Sequence, residues 1–76
     1  MKYKAGQEMK VGDRVRLGED DNGVVVFCVD TDEYAPGYPK EQWSYLATGV
    51  MINFPKYGLI HYVEDDQDLE LVSRGS

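Results

Sequence analysis

Apolar and polar residues alternate with a period of two along much of the chain, and clusters of turn-forming residues interrupt the alternation. The first such segment is Asp13-Arg14-Val15-Arg16-Leu17, flanked by Gly12 and Gly18. Val11, Val15 and Leu17 fall on one side of a strand and Arg14 and Arg16 on the other, because successive strand side chains point to opposite faces. Glu19-Asp20-Asp21-Asn22-Gly23 has poor strand propensity and ends in Asn-Gly, so a turn is expected there. Residues 23–29 are apolar on both parities, which predicts a second strand covered on both faces. A third strand is expected over 49–54 and a fourth over 59–63. Pro55-Lys56-Tyr57-Gly58 joins them as a tight loop with Pro early and Gly last. A short fifth strand, 69–72, follows the acidic run 64–68. That run reads as one 3-10 turn, since carboxylates favour the N-terminal end of a helical turn.

No helix of ten or more residues is predicted. Between strands two and three lie about eighteen residues, 30–48, a length that is uncommon in compact domains and often functional. Tyr34, Tyr38, Trp43 and Tyr45 sit here, with Pro36 and Pro39. Proline lowers the entropy cost of holding a loop in shape, and Tyr and Trp offer large contact area with few torsions to freeze. Residues 39–46 suit a turn or two of helix, with Pro39 tolerated in its first turn. Two roles stay open for the insertion. It can fold back as a lid, with Trp43 and Leu46 covering strand two, or present an aromatic surface to a partner, with Tyr34 and Tyr38 facing out. Tyr34, Tyr38, Trp43 and Tyr45 are therefore the candidate partner-binding residues.

These elements predict an all-β fold: a five-stranded SH3-like small barrel with a long aromatic insertion between strands 2 and 3 and a 3-10 turn before strand 5. At 76 residues the chain holds one domain. Residues 9–73 form that domain, 1–8 an N-terminal extension, and 74–76 a disordered tail or cloning remnant. Val11-Gly12-Asp13-Arg14-Val15, Asn22-Gly23-Val24-Val25 and Asp68-Leu69-Glu70-Leu71-Val72 together resemble the layout of SH3-like barrels of the KOW and Tudor kind. Gly12-Asp13-Arg14-Val15-Arg16 is also similar to the opening of the plasmid-borne type II dihydrofolate reductases. More loosely, the chain resembles uncharacterised small proteins encoded on mobile bacterial gene cassettes, a likeness that supplies no activity. The reductase likeness implies NADPH-dependent reduction in a pore built from four copies. Only Tyr62 could correspond to the aromatic of that family's Gln-Ile-Tyr strand, and Ile60-His61 stands where Gln-Ile would be.

Charge narrows the functions further. The net charge is -6, from eight Lys and Arg against fourteen Asp and Glu. Eleven of the fourteen acids fall in two stretches without a base, 19–33 and 64–70, while Lys2, Lys4, Lys10, Arg14 and Arg16 cluster at the start. Nucleic-acid binding requires a basic stripe to replace counterions around phosphates, so this balance argues against it and against anionic cofactors such as NADPH. Nucleic-acid association on a mobile element is the alternative reading. An acidic surface suits a basic protein partner, as in immunity or antitoxin proteins, and also suits plain solubility. A calcium loop would need oxygen ligands at fixed spacing around a Gly turn, and neither acidic run supplies it. The longest apolar run, 24–29, is far below the ~20 residues of a membrane span, and no signal-peptide pattern opens the chain. A lone Cys28 allows no internal disulfide and points to a reducing cytoplasm.

Catalysis finds little support. His61, on a strand parity shared with Leu59 and Val63, reads as hydrogen-bonded structure rather than a general base. Cys28 lies in an apolar strand with no adjacent cation to activate it. No serine motif or phosphate loop is present. The expectation is a non-catalytic, cytoplasmic protein-interaction module, monomeric or homodimeric, without cofactor or metal.

Overall fold

The computed structural model describes residues 2–3, 5–64 and 68–74. Six strands form one antiparallel sheet: β1 (Arg14–Leu17), β2 (Asp20–Cys28), β3 (Glu33–Tyr34), β4 (Val50–Phe54), β5 (Gly58–Tyr62) and β6 (Leu69–Ser73). The one α-helix, α1, covers Lys40–Trp43 and runs into a 3-10 turn over Ser44–Leu46. The sheet order is β5-β4-β2-β1-β6, with β3 paired beside β2 off this path. The fold is all-β as expected, but the sheet is open and has six strands rather than five. The extra strand comes from the insertion, whose Tyr34 and Glu33 pair with Phe27 and Cys28. The 3-10 turn expected over 64–68 falls on residues 65–67, outside the described residues, as do residues 75 and 76 of the expected tail.

The turn expected over 19–23 is displaced. Leu17 pairs with Asp20, so the hairpin loop is Gly18-Glu19, with Gly18 at φ 62. Asp20, Asp21 and Asn22 extend β2 instead, and Arg14 steadies them from the neighbouring strand by donating from Nε to the Asp21 carbonyl at 3.0 Å. Gly23 sits opposite Val15 inside the ladder and is buried. Cross-strand pairing overrides the local turn signal of Asn-Gly.

Strand β2 is apolar on both parities because it lines two cores. A bulge shifts its register against β4 between Val25 and Phe27: Val25 pairs with Ile52, Phe27 with Met51 and Cys28 with Val50. Bulges set two residues of one strand against one of the partner. Here Val26 and Phe27 both turn to one face with Met51, while Val25 and Cys28 turn to the other. The larger core gathers Met9, Val15, Val25, Val50, Ile52, Phe54 and Leu69, with Leu17, Ile60, Tyr62 and Leu71 packed at its margin. On β5 the inward parity is therefore Ile60 and Tyr62, while Leu59 stays 43% exposed beside His61 on the outward one.

Residues 2–8 are tied to this core. Lys2 bridges Glu8, the Tyr3 amide donates to the Gln7 carbonyl, and the Tyr3 ring is buried in the cluster. The Tyr3 hydroxyl donates to Oδ2 of Asp13 at 2.7 Å, and the same oxygen accepts from the Lys10 amide and from Arg74 Nη1, each at 2.9 Å. Asp13 is 1% exposed. A buried carboxylate is tolerated only where it is paired and hydrogen-bonded, and these three donors bring the segments on either side of the sheet to one oxygen. Burial, reinforced by the bond to Asp13, pushes the Tyr3 hydroxyl well above the usual tyrosine range.

Candidate interaction site

The insertion folds over the face of β2 that the bulge fills. Phe27, fully buried, lies at the centre, with Val26 and Met51 beside it. Tyr34, brought alongside by the β3 pairing, stacks on Phe27 with ring centroids 5.5 Å apart. The Trp43 ring lies 5.4 Å from Phe27 and the Tyr38 ring 6.2 Å, and Tyr38 and Trp43 are 6.5 Å from each other. Offset and tilted pairs at these separations contribute about 0.5–1.5 kcal/mol each beyond area burial. Local sequence explains the path. Pro39 at φ -68 and ψ 140 caps α1, whose single turn aims Trp43 at the sheet, and the 3-10 turn then brings Leu46 to the same cluster.

Three of the four candidate residues, Tyr34, Tyr38 and Trp43, are thus brought together as a cover over Phe27. Tyr34 and Tyr38, which the partner-surface alternative would turn outward, pack against Phe27 together with Trp43 and Leu46. Tyr45 stands apart, 74% exposed.

Two contacts fix the base of the insertion. Oδ1 of Asp30 accepts from the Thr48 hydroxyl at 2.7 Å and from the Gly49 amide at 3.1 Å. These bonds, the Thr48 hydroxyl's first, hold the Asp30 carboxyl below the usual carboxylate range. The Thr48 carbonyl lies 2.9 Å from Nε2 of His61, so that ring nitrogen carries the proton and donates. His61 is held in this structural bond. Farther along, Asp32 pairs with Lys40 at 2.8 Å and raises the Lys40 ammonium above its ordinary range.

Charge is distributed unevenly over the surface. Glu19, Asp21, Asp30, Asp32, Glu41, Glu64, Asp68 and Glu70 are exposed. Several cations, by contrast, are engaged: Arg16 with Glu70, Arg74 with Asp13, Lys40 with Asp32, and Arg14 with the Asp21 carbonyl. Lys56 lies 5.5 Å over the ring of Tyr57, which is itself 57% exposed. A cleft of about 550 Å³ separates the tips of the β1–β2 and β4–β5 hairpins, with Glu19 and Asp20 on one wall and Lys56 and Tyr57 on the other. Tyr57 escaped sequence reasoning because its hairpin loop was read only as a turn.

Cys28 is buried in β2, and no group of three or more His, Cys, Asp or Glu side chains able to hold a metal occurs among the described residues. No helix among them is long and apolar enough to cross a membrane. No protein-family model, curated protein or solved structure matches the chain.

Proposed function

We propose that this chain is a non-catalytic, cytoplasmic protein-interaction module that binds a basic partner through its acidic face. One observation carries the reading: Arg16, Lys40 and Arg74 are paired with acids of the chain, while Glu19, Asp21, Glu41 and Glu64 face solvent without an ion pair among the described residues. A partner rich in Lys and Arg would gain both steered encounter and specificity from such a surface. Tyr45 and Tyr57 supply exposed aromatic area near it, suited to cation–π contact with the same partner. Setting β3 aside, the remaining strands form a meander whose last member returns beside the first, and this order supports an SH3-like arrangement. An immunity or antitoxin protein that masks a basic toxin fits this description. Tyr62, the one counterpart of the reductase strand, packs against the core, which favours binding over reduction.

Affinity capture from a cell extract tests the reading. The expected result is a basic protein retained in stoichiometric amount, released by salt, and lost with the pair Glu19→Lys and Asp21→Lys, whose exposed sites leave folding intact. Retention of nucleic acid by the native chain, or unchanged capture by the charge-reversed one, would overturn it.

A further inference from the structure

We propose that residues 38–46 form a hinged lid that opens from the sheet as a unit without unfolding it. The chain is pinned on both sides of this segment. Before it, the Ala35 amide donates to the Val26 carbonyl at 2.9 Å, continuing the β3 ladder; after it, Thr48 and Gly49 are bonded to Asp30. Between these anchors the backbone bonds are internal: Tyr38 to Ala35, Gln42 to Pro39, Ala47 to Ser44 and Thr48 to Leu46. Among the described residues none runs from 38–47 to the sheet. The segment is held down by the side chains of Tyr38, Trp43 and Leu46, all only partly buried, and by the exposed Asp32–Lys40 pair.

Both ends carry backbone suited to a hinge. Gly37 has φ 90, and Ala47 has φ 68 with ψ -30, a region sparsely populated by any residue with a Cβ. The closed position is also imperfect chemically. Nε1 of Trp43 is buried without a hydrogen-bond partner, and a buried donor left unsatisfied weighs against the closed state. Segments with few buried contacts and no bonds to their scaffold open at the low end of a protein's stability range. Opening would uncover Phe27, Val26 and Met51 while the larger core on the opposite face of β2 stayed packed.

Native-state hydrogen exchange on the intact chain tests this. The Gln42, Ser44 and Ala47 amides should exchange at least about ten-fold faster than those of Val25 and Val29, and without dependence on low denaturant, the mark of local opening. The Trp43 indole N–H should exchange with the lid amides. Leu46→Ala should speed the lid amides by about ten-fold, from partial loss of a buried side chain, and speed the globally exchanging sheet amides by no more than that factor, because the sheet unfolds only after the lid has opened. Ala47→Gly should slow the lid amides by about two- to five-fold, because glycine accepts the positive φ. Equal rates and denaturant slopes for lid and sheet would make cap and sheet one cooperative unit and overturn the lid. An unchanged or faster lid rate in Ala47→Gly would overturn the hinge.

Discussion

Gly23→Ala sets two opposing effects against each other at one position. Glycine within a strand costs roughly 0.5–1 kcal/mol relative to alanine, because it surrenders more conformational freedom on folding. On that ground alone the substitution would stabilise. A Cβ placed on Gly23, however, would lie 2.5 Å from Cε1 and 2.8 Å from Cζ of Phe54, and 2.7 Å from Cγ2 of Val15. Phe54 and Val15 are both fully buried, so neither ring nor isopropyl group can swing into solvent. Overpacking of a closed core typically costs about 1–3 kcal/mol. Contacts this short on two sides place the cost near the top of that range, so the net effect is a destabilisation of about 1.5–2.5 kcal/mol.

For a domain of this size that corresponds to a fall in melting temperature of roughly 6–20 °C. Far-UV circular dichroism is the right probe, because Trp43 fluorescence would report the insertion as well as the sheet. Val15→Ala removes one of the two obstructing groups. Combined with Gly23→Ala it should cost less than the sum of the single changes, as expected for residues in direct contact. A stability equal to or above that of the native chain for Gly23→Ala, or strict additivity with Val15→Ala, would refute the packing role assigned to Gly23.

Other perturbations follow from the same contacts. Tyr3→Phe should cost about 1 kcal/mol at neutral pH by removing the bond to Asp13. Because the folded hydroxyl titrates above its unfolded value of 10.0, stability should fall as pH rises past about 10, and urea titrations of Tyr3→Phe should show that fall reduced. Asp30 has the opposite sign: its folded carboxyl lies below the unfolded 3.8, so its contribution is present above that value and is lost as pH falls through the folded one. Acid titration of Asp30→Asn should lack this component, and an unchanged acid limb would count against the Thr48 and Gly49 bonds. Gly49→Ala should cost more than about 2 kcal/mol in urea unfolding, since φ 96 is foreign to alanine and the added Cβ would collide with the Tyr62 carbonyl. Tyr45→Ala should leave the melting temperature within about 1 °C, as expected of a surface side chain, whereas Trp43→Ala should lower it clearly. Equal losses would mean that Tyr45 too belongs to the cover.

Much of the sheet was legible in the chain because period-two patterning is local. Val15 and Leu17 against Arg14 and Arg16 defined β1, and Pro55 with Gly58 marked the β4–β5 turn. What failed depended on partners distant in sequence. Asn22-Gly23 carries a turn signal in any local window, and it stays extended through the pairing of Gly23 with Val15, flanked by Val24 with Arg14 and Asp20 with Leu17. The outward side of β5 was hidden because Leu59 and Val63 are as apolar as Ile60, and patterning cannot say which parity the core takes. Asp13 gave no signal, since the two side chains that donate to it lie 10 positions before it at Tyr3 and 61 after it at Arg74.

The aromatic insertion shows why abundance of Tyr and Trp is a weak guide to binding. Once the bulge turns Val26 and Phe27 to the same face, β2 has apolar side chains on both sides and the second side must be covered. Tyr34, Tyr38 and Trp43 meet that need, so their clustering follows from the sheet and requires no partner to explain it. Glu19, Asp21, Glu41 and Glu64 admit no such internal account. Their exposure contributes nothing to the cores, and Arg14, Arg16, Lys40 and Arg74 are engaged elsewhere within the chain. On the proposed reading, recognition is therefore better sought in the charge left over after folding than in the aromatics that folding consumes, with Tyr45 and Tyr57 as exposed rings beside it.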